Sequence, residues 1–254
     1  MSIKVRKDGQ YAYAIVSADE VPMSYGPIGL DKRKVRAVVE GDVAMVVSPI
    51  KNARLRPNRR RLAAHHAVLA EVTSQTSPLP ITFGVIIDDE KAVRKLLLTH
   101  YDDLMAKLNH VRGRIEMGLK VRWIMEDFYS GFISAHPDLC ALRDTLYQDG
   151  REPGAHEKIE LGRRFEQVLQ ATRQTHTQAV INVLGLGDLC IEIREQEVRK
   201  ETHIMQLACL IERNARTRFE EAVLEAADLF GDDVAFEYNG PWAPHNFVNL
   251  RLAS

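Results

Sequence analysis

An α+β protein of two domains is the fold this sequence predicts, and three observations carry that expectation. The first is the stretch Arg114 to Trp123, where Ile115, Met117, Leu119, Val121 and Trp123 alternate with Arg114, Glu116, Gly118, Lys120 and Arg122. Strict alternation is the pattern of a strand with one buried and one wetted face. The second is length: 254 residues exceed the commonest domain size of about 100 to 150 residues. The third is order, because the segments from residue 113 onward read strand, helix, strand, strand, helix, strand. The expected domains are an N-terminal α+β domain over 1–112 and a C-terminal one over 113–254.

In the first half, Tyr11 to Ala18 is a compact apolar strand, followed by a loop rich in Pro and Gly from Pro22 to Gly29. Lys34 to Glu40 and Asp42 to Ser48 read as a hairpin turning at Gly41-Asp42, with Pro49 closing its second strand. A helix is expected from Pro57, with Leu62, His65, His66, Leu69, Val72 and Thr76 on one face. Leu79 to Ile87 reads as a further apolar strand. Asp88 is expected to cap one long helix through Val93, Leu97, Tyr101, Leu104, Leu108 and Val111, which Gly113 ends.

The second half opens on the alternating strand. Ser130 to Gly154 is expected to be an irregular insertion around one short helix. A long helix then runs from about Ala155 to Leu184 on a stripe that includes Leu161, Phe165, Val168, Leu169 and Val180, and Gly185 and Gly187 terminate it. Strands follow at Leu189–Ile193 and Ile204–Ile211; Asn214 is expected to cap a last helix through Phe230, and Val234 to Tyr238 is the fourth strand. This βαββαβ order is the signature of a ferredoxin-like sandwich, here modified by the insertion near 130–154. Its first strand is expected inside the sheet, between the third and the fourth.

Composition narrows the function classes. Hydrophobic residues at 45% and charged residues at 27%, with a net charge of -1, describe an ordinary globular chain and argue against a general coat for nucleic acid or membrane. Lys4, Arg6, Lys7 and Asp8 leave no apolar core for a secretory signal. The charge-free run Val72 to Ile87 holds two prolines and is too short to span a bilayer. Cys140, Cys190 and Cys209 are odd in number and lack CxxC spacing, which fits a reduced, cytoplasmic setting.

Signals for chemistry are weak. His65 and His66 are adjacent, so on a helix they point about 100° apart and do not make a helical zinc pair. No GxSxG, P-loop or HExxH occurs. The GLG at Gly185 follows a helix, the reverse of the order a dinucleotide loop requires. No enzyme activity, cofactor or metal is expected. Lys51, Arg54, Arg56, Arg59, Arg60 and Arg61 form a basic run without an acidic residue. It would suit a nucleic acid or an acidic partner, although no aromatic residues interleave to stack on bases.

The most specific string is Tyr238-Asn239-Gly240-Pro241-Trp242-Ala243-Pro244-His245-Asn246-Phe247-Val248. Its glycine and prolines are expected to stop helix and strand, leaving a rigid turn with Trp242 and Phe247 as aromatic anchors. Here the chain resembles the GvpF/GvpL family of gas vesicle proteins, whose ending reads approximately NGPWPPYSFV. Leu79-Pro80-Ile81-Thr82-Phe83-Gly84, the Gly113 to Val121 strand and Glu212-Arg213-Asn214 to Phe219 match it in family order. Ala243, His245 and Asn246 depart from the family's usual Pro, Tyr and Ser.

The resemblance implies a two-domain protein with a modified ferredoxin-like second domain. It also implies an accessory or minor structural role in gas vesicles, with the small hydrophobic shell protein, and other accessory proteins, as partners. Location in the gas vesicle, after a cytoplasmic stage, follows from the same resemblance, and neither a nucleic acid nor a membrane is expected as partner. The candidate partner-binding residues are Tyr238, Asn239, Gly240, Pro241, Trp242 and Phe247. The alternative is a binding module for nucleic acid or an acidic partner, built on Arg54, Arg56, Arg59, Arg60 and Arg61.

Overall fold

The computed structural model describes residues 8–51 and 55–250, so Arg54 of the basic run lies outside the described residues. The chain is α+β. Within the described residues, one compact unit holds the chain up to Met117, Leu210–Arg213 and everything from Gly240 onward; the other holds Gly118–Cys209 and Asn214–Asn239.

Antiparallel strands β1 (Asp8–Ser17), β2 (Ser24–Gly26), β3 (Val35–Glu40), β4 (Val43–Lys51), β5 (Leu79–Pro80) and β6 (Ile86–Ile87) form a six-stranded sheet. Its order is β2-β3-β4-β1-β5, and β6 also pairs with β1. Helix α1 (Arg59–Gln75) packs Val68 and Val72 against Tyr11, Tyr13, Val35 and Val46 on one face. Helices α2 (Glu90–Thr99) and α3 (Tyr101–Val111) pack Val93, Leu97, Leu104, Leu108 and Val111 against Ile15, Val38, Met45 and Val47 on the other. The central strands β1 and β4 are apolar on both sides because both sides are covered.

Several expectations are corrected here. Pro49 lies inside β4, opposite Gln10 of β1; β3 ends its pairing with β4 at Val47, so the missing N–H of Pro49 has no second strand to serve. Helix α1 starts at Arg59, with Asn58 as its cap, and buries His65, Val68, Leu69, Val72 and Thr73; Leu62 and His66 face outward. Leu79 to Ile87 is two short strands, parted by Gly84 at φ 101. Asp89, one residue after the expected cap, accepts the N–H of Ala92. The expected long helix breaks at His100 (φ -109, ψ 16), and the apolar stripe runs on across the break.

The second sheet has the order β10-β7-β9-β8. Strand β7 (Arg114–Trp123), with the bounds its alternation predicts, lies between β10 (Val234–Trp242) and β9 (His203–Glu212); β8 (Cys190–Glu195) is the far edge. The expected irregular insertion is two helices, α4 (Phe128–Ala135) and α5 (Pro137–Leu146). Asp127 caps α4, and Pro137 opens α5 at a position where its missing N–H costs nothing. Helix α6 (Ala155–Leu184) ends at Gly185 in the left-handed conformation, φ 61. Helix α7 (Arg216–Ala227) follows a short 3-10 turn at Arg213–Ala215; Asn214 is part of that turn and does not cap the helix.

Candidate functional site

The C-terminal string continues β10 instead of interrupting it: Tyr238, Asn239, Gly240, Pro241 and Trp242 are all strand residues at the sheet edge. Edge position is what permits it, since a proline and a glycine disturb only one ladder there. Gly240 holds φ 125, and a Cβ on it would stand 2.9 Å from both the Glu116 carbonyl oxygen and Met117 Sδ. The close approach of β10 to β7 therefore requires glycine. Tyr238 and Trp242 are 44% and 47% exposed.

After Trp242 the chain turns inward. Ala243 is buried, Phe247 is only 5% exposed, and Val248 and Leu250 pack against the α2–α3 face of the first sheet. Phe247 is thus a core residue, and of the two anchors read from the sequence only Trp242 presents a surface. Asn246 fixes the turn: its backbone N–H donates to Glu116 Oε2 at 2.8 Å and its Nδ2–H to Oε1 at 2.6 Å. Glu116 is 5% exposed. Simple alternation puts it on the wetted face, and nothing near it in the sequence announces a partner 130 residues away. The other polar residues of β7 are paired as well: Arg114 with Glu212, and Lys120 and Arg122 with Glu237.

The Leu79 to Gly84 string serves a second, buried cluster. His65 Nδ1 is 2.9 Å from Tyr11 Oη, and its ring stacks on Tyr13 and meets Phe83 edge-on. Gly84 N–H donates to Tyr11 Oη, Ile81 N–H to the Tyr13 carbonyl, and Leu30 N–H to Tyr13 Oη. Burial drives His65 down to about 4, with His66 and His245 adding repulsion, and pushes the Tyr11 phenol up. A neutral imidazole bonded to a phenol and walled by aromatics is a packing device. No group of three or more His, Cys, Asp or Glu that could hold a metal occurs among the described residues.

Arg56, Arg59 and Arg60 are exposed at the start of α1, whereas Arg61 is half-buried and reaches Asp31 at 3.5 Å. Lys51 ends β4. Among the described residues no helix is long and apolar enough to cross a membrane.

A family model described as gas vesicle synthesis protein GvpL/GvpF matches residues 9–249. The chain is 28% identical over 245 residues to gas vesicle protein F of Dolichospermum flosaquae, covering 94% of this chain and 97% of that one. It is 26% identical over 268 residues to gas vesicle protein L of Streptomyces sp. (strain CB03234), covering 95% and 93%. The crystal structure of GvpF from Anabaena sp. PCC7120 superposes with a TM-score of 0.83 at 24% identity, over 96% of this chain and all of that one. That of GvpF from Microcystis aeruginosa gives 0.77 at 24% identity, over 95% and 99%.

Proposed function

This chain belongs to the GvpL/GvpF family of gas vesicle synthesis proteins, and from that premise we propose that it assists gas vesicle assembly or nucleation by binding the small hydrophobic shell subunit. A wall subunit that will line a gas space must expose apolar surface before it assembles, and such surface aggregates unless it is covered. The observation that carries the reading is the β10 edge: a strand with no other strand on its outer side among the described residues, bearing Tyr238 and Trp242 about half exposed and held by the Gly240 contact and the Glu116–Asn246 bonds. Exposed aromatics on a rigid strand supply large contact area at low entropic cost, and an open edge accepts a partner strand.

The domain boundary near residue 113, the ferredoxin-like character of the second domain, location in the vesicle after a cytoplasmic stage, and contact with other accessory proteins belong to the same proposal. The strand order β10-β7-β9-β8 supports the ferredoxin-like part, because it sets the first strand between the fourth and the third. The test is the affinity for the purified shell subunit of Tyr238→Ala with Trp242→Ala. Both side chains are exposed, so the variant should keep its fold and bind at least tenfold more weakly. Unchanged affinity would sink the β10 contact.

A further inference from the structure

A cavity of about 320 Å³ lies where the end of β7, α4, α6 and the link from α7 to β10 meet, and neither Tyr238 nor Trp242 takes part in it. Five rings line it: Trp123, Phe132, His136, His176 and Phe230. They brace one another. Phe132 stacks on His136 with centroids 4.1 Å apart, Trp123 meets Phe132 edge-on at 5.5 Å, and His176 meets Phe230 edge-on at 4.9 Å. Leu229 and Asp233 on the same lining are exposed, so the cavity can be reached from solvent there. Its volume is at the small end of the range for ligand pockets, about 300 to 1,000 Å³.

The polar groups on the lining divide into spent and unspent. His136 is spent: Nδ1 is 2.7 Å from the Phe132 carbonyl oxygen and so carries the hydrogen, and Nε2 accepts from the Thr172 hydroxyl at 3.1 Å. Trp123 is only 5% exposed, yet its indole N–H bonds to no group among the described residues. A buried Trp N–H ordinarily finds a partner. This one is not sealed in the core, because the sealed side-chain polar atoms without a partner belong to Gln10, Tyr25 and Thr73; it opens onto space, and the cavity is the space that Trp123 lines. His176 also makes ring contacts but no hydrogen bond among the described residues, and burial lowers its pKa, which leaves a neutral ring with one N–H and one lone pair to offer. Asp233 is the one charged side chain on the described lining and makes no ion pair among the described residues; its backbone carbonyl accepts Ile124 N–H at 2.8 Å, which fixes its place.

We infer that this cavity is a binding site for a small, flat, neutral nitrogen heteroaromatic, whose ring packs among Trp123, Phe132 and Phe230 while its acceptor nitrogen meets the Trp123 N–H and its own N–H meets Asp233. The ring walls select a flat apolar body, since aromatic pairs gain from stacked and edge-on contact. The unspent donor and the carboxylate select one acceptor and one donor on that body. An anion such as a phosphate would face Asp233 with no cation on the described lining to meet it, and a cation would meet the positive end of the indole N–H. The site is separate from the β10 edge, so it stands or falls independently of shell binding.

The test is calorimetric titration of the full chain with two probes of one shape, benzimidazole, which has a ring N–H and an acceptor nitrogen, and indole, which has the N–H alone, at mildly alkaline pH where both are neutral. Benzimidazole should bind at least tenfold more tightly than indole. Asp233→Ala, at an exposed position that leaves the rings in place, should weaken benzimidazole at least fivefold with an unchanged thermal midpoint. Trp123 and Trp242 are the two tryptophans of the chain, so in Trp242→Phe the remaining emission belongs to Trp123 and should be quenched along the same titration. Failure of both probes to bind, equal affinity for the two, binding indifferent to Asp233→Ala, or binding that leaves Trp123 emission unchanged would each overturn the inference.

Discussion

Both carboxylate oxygens of Glu116 are engaged by Asn246, Oε2 by its backbone N–H at 2.8 Å and Oε1 by its side-chain amide at 2.6 Å. A carboxylate buried in β7 thereby pins the turn that follows the exposed Trp242. Hydrogen bonds to a charged group contribute about 1.5 to 3 kcal/mol each, and a buried N–H left unpaired adds its own cost. Glu116→Ala should lower stability to urea by about 2 to 4 kcal/mol and open the chain after Trp242 to proteolysis. A loss under about 0.5 kcal/mol would mean that the packing of Phe247 and Val248 alone holds the turn.

Two glycines with positive φ make a controlled pair. At Gly240 (φ 125) a Cβ would meet the Glu116 carbonyl oxygen and Met117 Sδ, whereas at Gly26 (φ 80) it would meet nothing within 4 Å. Gly240→Ala should therefore cost about 2 to 4 kcal/mol, conformational strain plus collision, and Gly26→Ala about 1 kcal/mol from strain alone. Equal losses in chemical denaturation would refute the close approach of β10 to β7.

Acid should weaken the fold through His65. Its folded-state pKa is about 4 because burial disfavours the charged ring, against an ordinary value of 6.5. The unfolded chain thus binds the proton first, so the stability this site contributes is complete above pH 6.5 and drains away as pH falls toward 4. The expected loss is about 2 to 3 kcal/mol over that window. His65→Gln, which does not titrate, should flatten the dependence measured by denaturant titration at each pH. Some slope will remain, since burial also lowers His176, His203 and His245. A variant with the full wild-type slope would contradict the assignment.

Asn58 accepts the N–H of Arg61 at 2.9 Å and caps α1, whose first turn carries Arg59, Arg60 and Arg61 against the positive end of the helix dipole. Asn58→Ala should cost about 1 kcal/mol, and Arg60→Glu should gain about 0.5 kcal/mol at low salt, both read from thermal midpoints.

Local signals made most elements legible. The alternation of Ile115 to Trp123 gave β7 with its bounds, and the apolar period of the 155–184 stretch gave α6. What was hidden depended on context that a local pattern lacks. The stripe Val93 to Val111 keeps one period across His100, so it could not reveal the break between α2 and α3. Pro49 and Pro241 read as stops, yet β4 runs past the end of β3 and β10 is an edge, so in neither case is a second ladder lost. Of the candidate site, the aromatics of the string could be read directly, but only burial separates Trp242 from Phe247. Glu116 was invisible because its partner is 130 residues away.

Co-purification of the tagged chain with the shell subunit of its own host, at low and at moderate salt, tests the central claim most directly. Apolar and backbone contacts are not screened by ions, so the account predicts retention at both salts, and retention that survives Arg59→Ala, Arg60→Ala, Arg61→Ala. Loss of the shell subunit at moderate salt, or in that arginine variant, would contradict it and move the contact to the basic start of α1.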